Sequence, residues 1–94
     1  MRSSFERSDR QIETHPVSVR WIMSDPAFER GVRDVRAQRG FPADFDTWET
    51  NPAWNYERGR IWGKRVPTSV VFKRDGRVTT EAVAWYVRLG DAIL

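Results

Sequence analysis

Between Pro16 and Met23 apolar and polar positions alternate: Val17, Val19, Trp21 and Met23 share one side, while Ser18, Arg20 and Ile22 point away. A period of two predicts a short, half-buried β-strand. The period then changes. Phe28, Gly31, Val32 and Val35 stand at i, i+3, i+4 and i+7, the spacing of one helical face, with Arg30, Arg33 and Arg36 on the opposite arc. Ser24-Asp25-Pro26 supplies the start, because Ser24 or Asp25 can accept from first-turn amides and Pro26 needs no donor there. This helix is predicted over residues 26–39, with Gly40 as its stop. Asn51-Pro52 repeats the start signal for a second helix over residues 52–64. Trp54, Ile61 and Trp62 form one of its stripes, and Tyr56, Gly59 and Gly63 form another. A helix apolar on two sides needs two partners, here the first helix and a C-terminal one.

One phrase recurs in both helices: Phe28-Glu29-Arg30-Gly31 and Tyr56-Glu57-Arg58-Gly59. Aromatic-x-x-Gly sets a ring beside bare backbone on one face, so the echo predicts a closely docked helical hairpin. The connection, residues 41–50, interleaves Asp44, Asp46 and Glu49 with Phe41, Phe45 and Trp48, whose rings are expected to fold back onto the core. Residues 67–72 read as a second strand on Val70, Val71 and Phe72. Asp75-Gly76 is a type I′ turn signal that either closes a hairpin onto Val78 or leads straight into the last helix. Thr79 or Thr80 caps that helix; Ala82, Trp85, Tyr86, Leu89 and Ile93 form its buried stripe, and Gly90 is placed to end it. The expected fold is α+β and helix-dominated: a helical hairpin plus a C-terminal helix, with a short two- or three-stranded β element. Residues 1–14, polar and without period, are expected to be a flexible tail, and residues 15–94 a single compact domain.

Composition narrows the chemistry. With no cysteine, thiolate catalysis and disulfides are excluded. No apolar run approaches the roughly 20 residues that span a bilayer, and no signal-peptide core follows Met1-Arg2, so a soluble, cytoplasmic protein is expected. His15 is the one histidine and lacks a paired nucleophile. Asp44, Asp46 and Glu49 lack the spacing and glycine of a calcium loop and read as a solvated acidic loop. Gly59-x-x-x-Gly63-Lys64 only faintly resembles a phosphate loop, and in a helix those glycines mean close approach of a neighbour. The expectation is a protein that is not an enzyme and has no metal or cofactor.

Charge supplies the remaining candidates. Net charge is +3, and among sixteen basic residues only Lys64 and Lys73 are lysine. The arginine bias reflects either coding bias or selection for planar bidentate donors. Arg30, Arg33 and Arg36, then Arg60, Lys64 and Arg65, then Arg74 and Arg77 beside Lys73 could together track a phosphate backbone. The plainer reading is a solvated face with local pairs, Glu29–Arg33 and Glu57–Arg60. Arg58 shares an arc with Trp54, Ile61 and Trp62, so its stem is expected to be packed and its head paired with Asp44 or Asp46.

The stretch Phe28-Glu29-Arg30-Gly31-Val32-Arg33, with the basic end through Arg39-Gly40, resembles the opening helix of ribosome modulation factor-like proteins. Asn51-Pro52 and Gly59-Arg60-Ile61-Trp62 are similar to that group's X-Pro-aromatic turn and Gly-Trp second helix. The resemblance covers residues 27–65 and implies two short helices that sit on ribosomal RNA and silence the ribosome. The acidic connection, the strands and the last helix have no counterpart in it. Two functions follow as expectations. The first is a non-enzymatic binder of RNA or the ribosome through the arginine-rich helical face. The alternative is a protein-binding module or inhibitor, such as a phage-encoded protein blocking a host or defence complex, which requires exposed aromatics. A homodimer with Trp48 or Trp85 at its interface is the third.

Overall fold

Capping and proline placement set the frame of the chain. The computed structural model describes residues 16–93, with side chains from residue 19 onward, so the tail predicted over residues 1–14 and His15 lie outside the described residues. Helix α1 spans Pro16–Met23, α2 Pro26–Arg36, α3 Thr50–Arg65 and α4 Thr80–Leu89. Single 3-10 turns occupy Phe45–Thr47 and Gly90–Ile93, and β1 (Lys73–Arg74) pairs antiparallel with β2 (Arg77–Val78). The architecture is helix-dominated, with one two-stranded element beside the helices.

The strand expected at Pro16–Met23 is a helix. Alternation and the i, i+4 pair Val19–Met23 coexist in those eight residues, and burial decides between them. Val19 and Met23 are fully buried while Trp21, which a strand would turn inward with them, is 82% exposed. Asp25 then caps α2, its Oδ1 accepting from the Ala27 amide at 2.9 Å, with Pro26 in the first turn. Helix α2 stops at Arg36 rather than at Gly40. Gln38 takes the left-handed conformation (φ 60°), its amide donates to Val35 and that of Arg39 to Asp34, which makes a Schellman ending without glycine. Helix α3 begins two residues before the expected start, at Thr50.

The close docking of α2 on α3 rests on the repeated phrase, and the two helices run in the same sense. Asp25 at the start of α2 meets Asn55 early in α3, and Arg36 at its end meets Gly63 and Val66 at the end of α3. The connection over residues 37–49 carries the chain back. A Cβ on Gly31 would collide with the Tyr56 carbonyl oxygen and the Arg60 amide, and one on Gly59 with the Phe28 carbonyl. Each glycine thus receives the backbone beside the other phrase's aromatic residue. Gly63 continues the seam against Val32 and Val35. On the far side of α3, Trp62 is fully buried and donates from Nε1 to the Ala82 carbonyl of α4 at 3.2 Å. Phe28 stacks on Phe72 at 5.8 Å between centroids, and Phe72 meets Trp62 edge-on at 5.2 Å. Val19, Met23, Val32, Val66, Val70, Val78, Val83, Tyr86 and Ile93 complete this core.

The strand expected at residues 67–72 has moved. Residues 68–70 form a turn and bend, and pairing begins only at Lys73, opposite Val78. Asp75 (φ 55°) and Gly76 (φ 79°) both carry the positive φ of a type I′ turn. Thr79 caps α4 by accepting from the Ala82 amide at 3.0 Å, and Gly90 ends that helix at φ 54°.

Candidate functional site

The predicted basic face is divided by the fold. Arg36 crosses from the end of α2 to the end of α3: Nε donates to the Gly63 carbonyl at 3.0 Å, Nη2 to that of Val66 at 3.1 Å, and the guanidinium lies 5.3 Å from the Trp62 ring. It therefore closes the C-terminus of α3, where orphan carbonyls and the negative dipole end favour a cation. Burial lowers its pKa from the ordinary arginine value. Arg36 is a structural clamp, and its donors are directed inward.

Arg30, itself exposed, and Arg60 belong to a second cluster on another edge of the α2–α3 pair. Its centre is Asp34, the buried charged residue on α2. The Asp34 carboxylate accepts from Tyr56 Oη at 2.7 Å and from Arg39 Nη1 at 3.1 Å, with Arg30 Nε 3.6 Å away. Burial by itself would raise the Asp34 pKa; the hydrogen bonds from Tyr56 and Arg39, and the charges of Arg30 and Arg39, hold it below the ordinary value. Burial and the bond to Asp34 raise the pKa of Tyr56. Arg60 donates to Tyr56 Oη at 3.1 Å and to the Arg39 carbonyl at 2.9 Å, and stacks 4.5 Å from the Phe41 ring. Phe41, Phe45 and Trp48 fold back onto Tyr56 rather than into the main core, each within 5.6 Å of its ring, and Phe41 stays 51% exposed.

Other candidate cations remain outward. Arg33 lies at 4.0 Å from Glu29, which Lys73 also meets at 2.9 Å. Lys64 and Arg65 are exposed at the end of α3, and Arg74 and Arg77 are exposed across the β-turn. The eight predicted residues are thus divided: Arg36 and Arg60 bond across the α2–α3 pair, Arg30 pairs with Asp34 on its own helix, and the others lie outward on α2, at the end of α3 and on the β-turn.

A different surface stands out. Trp21 is 82% exposed and Trp54 54% exposed, and Arg58 lies between the depressions that they border. The Arg58 guanidinium sits 5.7 Å from the Trp54 ring and donates to Asn55 Oδ1 at 3.0 Å. Asn55 in turn donates to Asp25 Oδ2 at 2.8 Å. The partner expected for Arg58, Asp44 or Asp46, is therefore replaced by Asn55; both acids lie exposed in the connection. Ile22 and Ile61 form the partly buried floor. The pattern reading missed this face because Trp21 was turned inward with the supposed strand, and Trp54 was grouped with Ile61 and Trp62.

Among the described residues, no helix is long and apolar enough to cross a membrane. No known protein family, curated protein or solved structure matches the chain, so the similarity to ribosome modulation factor-like proteins rests on the quoted residues alone.

Proposed function

We propose that this chain is a non-enzymatic protein-binding module whose interface is the Trp21–Arg58–Trp54 face. One observation carries the reading: two exposed tryptophans border two depressions that share Arg58, which stacks on Trp54 and is held by a hydrogen-bond chain through Asn55 to Asp25. Tryptophan and arginine are the residues that dominate interface energetics, and each buried indole can contribute about 2 kcal/mol or more. The orienting bonds reduce the ordering cost of binding.

Charge separates this reading from nucleic-acid stacking. Beside Arg58 the face carries the carboxylates of Asp25 and Glu57, so it lacks the positive field that a phosphate backbone needs. The fitting partner is a polypeptide with an apolar groove and an acceptor for Arg58. The RNA reading draws on the basic helices, but Arg36 and Arg60 direct donors to carbonyls within the α2–α3 pair, and the exposed Arg30 is paired with Asp34.

The test is affinity capture from nuclease-treated extract of the source cells, comparing the wild type with Trp21→Ala/Trp54→Ala. The expected result is a polypeptide that survives nuclease and high salt, then binds the purified double variant at least about 100-fold more weakly. Equal capture by both proteins, or capture abolished by nuclease, would overturn the proposal.

A further inference from the structure

We infer that the notch between the β-hairpin and the start of α4 is a phosphoryl-binding site, formed by Arg20, Arg74 and Arg77. It stands on different residues from the tryptophan face, so either reading can fail without the other.

Arg74 and Arg77 are direct partners in the hairpin register, which places their side chains on the same face. Like charges directly opposite one another destabilise a strand pair, and an internal anion would relieve them. The neighbouring pair, Lys73 opposite Val78, shows the contrast. Lys73 is neutralised by Glu29 at 2.9 Å and Val78 is buried. Arg74 and Arg77 have no ion pair among the described residues, although Asp75 and Glu81 border the same notch.

Arg20 brings a third guanidinium from α1. Its Nη1 donates to the Val78 carbonyl, which anchors the group at the hairpin and leaves other N–H donors directed elsewhere. At the start of α4, Thr79 takes the Ala82 amide with its hydroxyl and the Val83 amide with its carbonyl, leaving the amide of Thr80 at the notch. One guanidinium satisfies the two oxygens of a carboxylate, whereas three from separate backbone positions suit the larger oxygen set of a phosphoryl group. Among the described residues no aromatic side chain lines the notch, so they offer no platform for a base. The ligand chemistry is therefore the phosphoryl group itself, either as a free phosphate or in a nucleic-acid backbone.

Nuclear magnetic resonance titration of the full chain tests the site with two probes, pyrophosphate and a mixed-sequence single-stranded RNA oligomer. Binding should shift the Arg20 Nε signal and the amides of residues 74–81, and Arg74→Gln/Arg77→Gln should lose at least tenfold in affinity. RNA that pyrophosphate displaces from the notch identifies the backbone as the source; pyrophosphate binding without RNA binding identifies a free phosphate. For RNA, the salt slope should fall by about 1 per arginine removed. Because the substitutions relieve a like-charge pair, the variant should melt at or above the wild-type temperature. No shift at residues 74–81 with either probe, unchanged affinity in the variant, or a lowered melting temperature would overturn the site.

Discussion

Asp34 shows how far a single side chain can depart from what its neighbours in sequence suggest. Nothing in the helical pattern singles it out, yet it is buried with Tyr56, Arg39 and Arg30 around it. The partner from α3 comes from 22 residues away, and no helical period encodes that meeting. Arg36 is the same case among cations: its spacing matches Arg30 and Arg33, but its guanidinium ends on the carbonyls of Gly63 in α3 and of Val66, which caps that helix. Asp34→Asn should cost about 2 kcal/mol at neutral pH, the scale of a lost charged hydrogen-bond set. Because the folded-state pKa lies below the ordinary 3.8, this contribution is present above that value and lost as pH falls through the lowered one. Urea unfolding should therefore show a stability gap between wild type and variant at neutral pH that closes in acid. A gap that persists in acid would mean that the carboxylate charge is not its source.

At the scale of elements, the close docking of α2 on α3 was the most legible feature because the repeated aromatic-Glu-Arg-Gly phrase states a steric requirement. Their same-sense packing, with Asp25 against Asn55 and Arg36 against Gly63, is not encoded in that phrase. Gly31 and Gly59 each face backbone of the opposing helix, where a side chain has no route of escape. Gly31→Ala should cost about 3 kcal/mol or more, at the upper end of overpacking penalties. Gly40 has open space around it, so Gly40→Ala should be neutral or stabilise by up to about 1 kcal/mol through the unfolded chain. Denaturant midpoints of the two variants check this; equal effects would contradict close docking at Gly31. The Asp75-Gly76 turn was legible for a similar reason, since type I′ geometry demands positive φ at both positions. Helix α1 was not. Eight residues rich in Val, Ile and Trp satisfy both periods, and contact with α4 decides between them. The strand over residues 67–72 failed because an apolar run needs a pairing partner, and the register of the turn supplies one only from Lys73.

For the whole molecule, the fold class could be read from the chain, but the candidate interface could not. Charge counts identified arginines without saying which donors the fold would consume, and Arg36 and Arg60 direct theirs across the α2–α3 pair. Turning α1 from strand to helix moves Trp21 outward to the surface that Trp54 and Arg58 share. The measurement that tests the central claim most directly is photo-crosslinking in the source cells, with a photoreactive residue at position 21, at position 54 or, as a control, at Lys64. The account predicts that positions 21 and 54 trap the same polypeptide and that position 64 does not. Crosslinks to nucleic acid from positions 21 and 54, or the same products from all three positions, would contradict it.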